Sequence, residues 1–269
     1  MRKEGVSFII ASYNCVSYID TCLKSVFQQN YNGDIEIIVC DDCSTDGTFD
    51  LLKHYAEMKQ IVLLQNESNL GAATSRNNCL KIAKYDYIAI LDADDYISPN
   101  RISIQMKVLK EHPEIAFVAS GMRRFYENGD TQDYAPNKAI PESKDFLWSL
   151  PFAHATTIFR KNCLLDVNGY RISKETKRGH DYDLFMRLYA KGYKGMNIPD
   201  ILYFYRCFTT KSNRDLYKYR IHESIVRFKG FRAMKLGFIS IPYIIKPLVV
   251  GLMPKSVMIK KSKQNNKTR

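Results

Sequence analysis

Apolar runs recur along the first half of the chain, and each gives way to a stretch whose apolar residues fall at helical spacing. VSFIIAS (6–12), IEIIVCDD (35–42), IVLLQN (61–66) and IAILDADD (88–95) are apolar along nearly their whole length, as strands buried on both faces are. Between them, Ile19, Leu23, Val26 and Phe27, then Phe49, Leu51, Leu52 and Tyr55, then residues 69–84, read as helices. Ser44, Thr45 and Asp46 are N-cap candidates for the second helix, and a glycine turn leads into the third. Ser98 and Pro99 open a fourth, ending near His112. Four β-then-α units in succession predict a parallel sheet with right-handed crossovers and helices on both faces.

The second half is less regular. IAFVASG (115–121) predicts a fifth strand, Glu127-Asn128-Gly129-Asp130 a hairpin or loop, residues 146–150 a short helix and ATTIFRK (155–161) a strand. A short helix over 162–167 is predicted to end at a left-handed cap, Asn168-Gly169. Gly179-His180-Asp181 opens a helix that Gly192 closes, and ILYFYR (201–206) is the last predicted strand.

In an open α/β sheet, ligands bind beyond the carboxyl ends of the strands. Three of these strands end in Tyr13-Asn14, Asp41-Asp42 and Asp92-Asp94-Asp95, so dispersed polar residues converge on one edge. Crowded carboxylates repel unless a cation or donor offsets them. Hard divalent ions such as Mg²⁺ and Mn²⁺ suit one or two carboxylates together with substrate phosphates. No GxGxxG follows the first strand and no GxxxxGK[ST] is present, which removes the dinucleotide and P-loop readings. A nucleotide site here would be acidic and metal-bridged rather than glycine-rich, an arrangement that suits transfer from a diphosphate donor: a divalent ion held by carboxylates would neutralise the leaving group, and a separate carboxylate would take the proton of an attacking hydroxyl.

The pieces SFIIASYN, IIVCDDCSTDGT, NLGAATSRNN, YIAILDADD and GHDYDLFMRL occur in that order and at ordinary spacing. Together they resemble a family 2 glycosyltransferase of the bacterial surface-polysaccharide type, over about residues 6–206. The resemblance implies a GT-A fold, a Rossmann-like mixed α/β sheet with helices on both faces. It also implies inverting transfer of a sugar from a nucleotide diphosphate, commonly a UDP-sugar, with Mn²⁺ or Mg²⁺, to a saccharide hydroxyl. Carried across by motif, Tyr13 lies against the base, Asp41 and Asp42 contact base and ribose, and Arg76 reaches toward the nucleotide. Asp92 touches the ribose, Asp94 holds the metal, and Asp95 is left unassigned. Asp181 matches the catalytic base, with Asp183 as its rival. The family often has Glu-Asp at this point, whereas this chain has His180-Asp181. His180 either tunes Asp181, contacts the acceptor or is merely packed. His154 reads as structural, His222 carries little claim to the metal, and His54 and His112 are expected on solvent-side helix surfaces.

Charge changes the picture at the C-terminus. Residues 1–205 carry 24 Lys+Arg against 26 Asp+Glu, whereas residues 206–269 carry 16 Lys+Arg against Asp215 and Glu223. The division expected is a catalytic domain over 1–206 and a basic, partly apolar extension over 207–269. Within it LGFISIPYIIKPLVVGLM (236–253) is apolar but interrupted by Pro242, Lys246 and Pro247, an interfacial or re-entrant segment rather than a span. Lys255, Lys260, Lys261, Lys263, Lys267 and Arg269 follow it and suit anionic headgroups. These features predict a lipid-linked acceptor and a cytoplasmic enzyme held peripherally on the inner face of the cell membrane. Seven cysteines without framework spacing fit a reducing compartment, the Cys40–Cys43 pair lacks a second pair for zinc, and the opening apolar run is too short for a signal peptide. A nucleotidyltransferase acting on sugar phosphates would show a glycine- and arginine-rich loop after the first strand, and SYNCVSY has neither. A nucleic-acid-binding protein is disfavoured by the acidic sheet edge, which would repel phosphate.

Overall fold

A computed structural model of the chain describes residues 5–208 and 217–252. The four apolar runs form β1 (Gly5–Ser12), β2 (Asp34–Asp41), β3 (Val62–Gln65) and β4 (Tyr87–Asp92), which lie in the order β3-β2-β1-β4 and pair in parallel. Between them run α1 (Ile19–Phe27), α2 (Thr48–Glu57) and α3 (Ala72–Ile82), as the helical spacing predicts. After a two-residue strand β5 (Tyr96–Ile97) comes α4 (Arg101–Glu111), which begins two residues beyond Pro99, with Asn100 as its cap. Gly47, in the left-handed region, is the cap residue of α2; Asp46 serves it from one position earlier by accepting the Thr48 N–H at 3.0 Å.

Beyond β4 the sheet turns mixed, so the all-parallel arrangement read from the β–α units alone does not hold. Strand β8 (Ile158–Arg160) pairs antiparallel with both β4 and β6 (Phe117–Tyr126). Strand β9 (Gly195–Cys207) then pairs in parallel with β6 and antiparallel with β5, and β7 (Thr131–Tyr134) completes a hairpin on β6. Strand β9 begins at Gly195, ahead of its apolar run over 201–206, and β6 continues past its own run, beyond a register shift at Gly121, into a partly exposed ribbon. Alternation fades there, and with it the sequence signal.

Short 3₁₀ turns at Ser143–Leu147 and His154–Thr156 stand where a helix and the start of a strand are expected. Helix α5 (Lys161–Asp166) ends at Asn168 and Gly169 with φ of 57° and 62°, the left-handed cap read from the sequence. Helix α6 (His180–Ala190) buries Leu184, Phe185 and Leu188, with Phe185 against Phe117, Phe152 and Phe159. Each fully buried side chain of this kind contributes about 1.5–3 kcal/mol.

The C-terminal segment folds back on α6. Helix α7 (Tyr217–Ala233) buries Val226 and Phe231, and its Gly230 lies so close to Met186 that a side chain there would clash. A 3₁₀ turn and α8 (Ile241–Leu252) follow, α8 containing Pro247 and packing on α7. No helix among the described residues is long and apolar enough to cross a membrane. The basic residues from Lys255 onward lie outside the described residues.

Candidate active site

Where β1 and β4 end, a cleft of about 700 Å³ opens, and Tyr13, Arg76, Asp92, Asp94, His180 and Asp181 all line it. Asp92 ends β4, and Asp94 and Asp95 follow in the turn to β5. Tyr13 extends from the end of β1 with its ring about half exposed. Asp181 comes from the first turn of α6, so the carboxylates reach the cleft from separate segments.

Asp94 is half-buried, and no other protein side chain among the described residues donates to its carboxylate; burial, and then the charge of Asp92, raise its pKa above the ordinary carboxylate value. A cation at this carboxylate offsets both costs. Among the described residues no three His, Cys, Asp or Glu side chains converge as a ready metal cage. The chemistry on hand is that of an ion held by one or two carboxylates and completed by a substrate's phosphates, and Asp94 fits that use.

Arg76 is buried, not a surface arginine of its helix. It donates to Asp92 at 2.5 Å and to Nε2 of His180 at 3.1 Å, while its Nε–H has no acceptor among the described residues. An arginine only donates, so His180 is the acceptor and its ring is neutral. Burial, and then Arg76, hold the His180 pKa below its ordinary value. His154 is packed as the sequence reading expects: its Nε2 shares a 2.7 Å hydrogen bond with the Tyr170 hydroxyl.

Asp41 and Asp42 sit beside the cleft, not in its lining, at 0% and 3% exposure. Asp41 accepts from the hydroxyls of Ser12 and Ser44 and from the Ser44 N–H. Asp42 accepts from the N–H groups of Leu70 and Gly71, at 2.9 and 2.7 Å, and from Asn66. Both carboxylates fasten the loops that frame the site. Asp183 is likewise spent: it is buried and ion-paired to Arg171 and Arg187, which leaves Asp181 without its rival. His54 is exposed as expected, and His112 lies half-buried against Glu114.

Asp95 is 1% exposed and starts no helix. It accepts from the Tyr203 hydroxyl and the Arg206 N–H, both at 2.7 Å. Burial, then the charges of Asp92 and Asp94, push its pKa up to about 9. Arg206, whose guanidinium lies between Tyr18 and Phe125, also donates from Nε to the Asp94 carbonyl at 3.0 Å. Tyr203 and Arg206 thus hold the acidic turn from β9. The sequence reading does not single them out, and the available signal was only that an aromatic strand carries one arginine at its end.

Asp181 lines a second cavity as well, of about 760 Å³, between the head of α6 and α7. His222 faces this second cavity and does not line the cleft that holds Asp94.

A mixed sheet with an acidic turn after its fourth strand and a separate carboxylate at the head of a late helix defines the class: a GT-A transferase. The glycosyl transferase family 2 profile matches residues 7–168, and the chain belongs to that family. It is 35% identical over 255 residues to EpsE of Bacillus subtilis (strain 168), provisionally named a glycosyltransferase, covering 94% of this chain and 91% of that one. It is 33% identical over 233 residues to WfaP of Escherichia coli, named UDP-Glc:alpha-D-GlcNAc-diphosphoundecaprenol beta-1,3-glucosyltransferase, covering 86% and 88%. Among solved structures, Staphylococcus aureus TarS 1-349 in complex with UDP superposes with a TM-score of 0.64 at 22% identity, covering 85% of this chain and 69% of that one. The mannosyltransferase PcManGT of Pyrobaculum calidifontis, in complex with GDP-Man and Mn²⁺, gives 0.61 at 18% identity, covering 98% and 80%.

Proposed function

We propose that this glycosyltransferase is inverting and metal-dependent, moving a sugar from a UDP-sugar to a hydroxyl of a lipid-linked saccharide in cell-surface polysaccharide synthesis. The observation that carries the reading is the meeting of Asp94 and Asp181, from separate segments, in one cleft beside Tyr13. Tyr13 stacks on the base, and the loops fastened by Asp41 and Asp42 shape the base and ribose pocket. Asp92 contacts the ribose. Arg76 faces the diphosphate, and its Nε–H, without an acceptor among the described residues, is a donor to be satisfied there. Asp94 holds Mn²⁺ or Mg²⁺, which neutralises charge on the departing diphosphate. Asp181 accepts the proton of the acceptor hydroxyl as that oxygen attacks the anomeric carbon opposite the leaving group. The UDP donor and the diphosphate lipid are supported by the name of WfaP, and the metal by the Mn²⁺ complex of PcManGT.

We assign the sugar transfer to residues 1–206 and membrane contact to 207–269. Ile241, Ile245, Val249 and Leu252 recur along one exposed face of α8, and Phe238 just before it is 89% exposed. Such a face, with seven Lys+Arg against Glu223 alone over residues 217–252, suits an anionic bilayer and a peripheral position on the cytoplasmic face.

The test is a panel of nucleotide-sugars with Mn²⁺, scored for transfer and for hydrolysis. Asp94→Ala is expected to lose metal-dependent donor binding, and Asp181→Ala to keep that binding while losing transfer. Full transfer in either variant overturns its assigned role.

A further inference from the structure

Arg76 is fastened at two points by two separate parts of the fold. One N–H goes to Asp92 at the end of β4, and another goes to Nε2 of His180 in the first turn of α6. A planar guanidinium held at one point can turn about it; held at two, it keeps its other N–H groups in a fixed plane. Without the second anchor, two N–H groups could close on the Asp92 carboxylate as a bidentate pair and draw Arg76 toward the acidic turn. His180 opposes that movement.

The surroundings of His180 suit a neutral acceptor. Its ring meets those of His154 and Tyr170 edge-on, with centroids 5.9 and 5.8 Å away, and burial keeps both of those side chains uncharged. The charged groups that face it are Arg76 from α3, Asp92 from the end of β4 and Asp181 from its own helix, with the Lys177 backbone as a further hydrogen-bond partner. Asp92 is already paired to Arg76, and Asp181 accepts the Tyr182 N–H at 2.8 Å. A protonated imidazole would turn an N–H against the N–H of Arg76, with no acceptor for either.

We infer that His180 is a positioning residue: as a neutral acceptor it holds the Arg76 guanidinium off a closed pair with Asp92 and oriented toward the donor diphosphate, and protonation of the imidazole releases it. The inference deepens the donor reading above and rests on it. The contact also occupies the Nε2 that would otherwise meet Asp181 or an acceptor sugar.

The test is calorimetric binding of UDP with Mn²⁺ to the full chain and to its His180→Gln and His180→Phe variants, from about pH 5 to pH 7.5, a range that spans the ordinary histidine pKa. Glutamine keeps an acceptor near the place of Nε2 and does not titrate; phenylalanine keeps a ring and has no acceptor. At the upper pH, His180→Gln is expected to bind within about twofold of the parent and His180→Phe about tenfold more weakly, the loss of one hydrogen bond to a charged group. As pH falls, the parent should approach His180→Phe, while the ratio of His180→Gln to His180→Phe stays constant. The terminal phosphate of UDP titrates near pH 6 for every variant, so the ratios carry the result. A merely structural role would lower the urea midpoints of the variants without a ratio that changes with pH. Nitrogen-15 spectra of the histidine rings, needing no ligand, are expected to show neutral His180 with its proton on Nδ1. Equal binding by parent and His180→Phe, binding by His180→Gln as weak as by His180→Phe, a parent to His180→Gln ratio that does not move with pH, or a proton on Nε2 overturns the inference. Where His180→Phe does not fold, the parent to His180→Gln ratio decides alone. Absence of UDP binding in the parent at every pH sinks the donor reading and the role toward the diphosphate together, whereas binding in the parent that His180→Phe matches sinks the positioning role only.

Discussion

Arg76 on α3 is ion-paired to Asp92 at the end of β4, with N–O separation 2.5 Å. Through His180 the same guanidinium reaches the residue next to the candidate base. One buried side chain thus ties the acidic turn to the helix that carries Asp181. The family's frequent glutamate at the position of His180 would bring a second negative charge to Arg76. The neutral imidazole here adds no such charge beside Arg76.

Removing Arg76 unpairs Asp92 beside Asp94 and Asp95. Arg76→Ala is expected to cost about 1.5–3 kcal/mol, the range for a hydrogen bond to a charged group, since Asp92 is partly open to the cleft. Arg76→Lys should recover part of the stability but not the contact to His180, since a point charge replaces a planar fork. Urea unfolding of the three proteins checks the order; equal midpoints would contradict it.

Gly169 has φ of 62°, and a Cβ there would meet Asn77 Oδ1 at 2.5 Å. Asn77 holds Tyr170 through both the N–H and the C=O of that residue, and Tyr170 holds His154. Gly169→Ala is expected to destabilise by about 1–2 kcal/mol through the left-handed conformation, with a further loss as Asn77 shifts. Thermal unfolding of the variant, with UDP binding alongside, measures both effects.

Burial, then the charge of Arg76, hold the His154 pKa well below 6.5. The unfolded chain takes up a proton near pH 6.5 that the folded chain refuses, so the contribution is fully present above that pH and is lost as pH falls. Stability should therefore drop between about pH 7 and pH 5, and His154→Asn should flatten that part of the curve. Unfolding midpoints across this range, without added metal, decide the matter.

The apolar face of α8 is expected to contribute to membrane contact and little to folding. Ile245→Asp with Val249→Asp should leave the urea midpoint within about 0.5 kcal/mol of the parent, as exposed substitutions do. Binding to phosphatidylglycerol vesicles should fall by tenfold or more, since each buried aliphatic side chain is worth about 1.5–3 kcal/mol. Vesicle sedimentation that is unchanged would move the contact elsewhere.

The half of the sheet built from β1 to β4 was legible because strands buried on both faces are apolar throughout and their connecting helices keep a 3.6-residue period. The ends of those strands then located Tyr13, Asp92 and Asp94 on one edge. What stayed hidden depends on partners far away in the chain. That Asp41 and Asp42 are consumed by Ser44, Leu70 and Gly71 is a matter of loop geometry that no spacing encodes. The two-residue strand β5 and the long ribbon of β6 and β9 exist through pairing rather than pattern. Arg206 earns its place only when β9 brings it against the acidic turn.

Helix α7 carries apolar residues on two opposite sides, one packed on α6 and one exposed. Adsorbed by that outer side, the chain would lose rotational freedom about every axis but the bilayer normal. Its encounters with the proposed lipid-linked acceptor would become a two-dimensional search at fixed orientation, while the proposed nucleotide-sugar donor would still arrive by diffusion from bulk water. Detergent solution would abolish that advantage even with every side chain of the cleft in place.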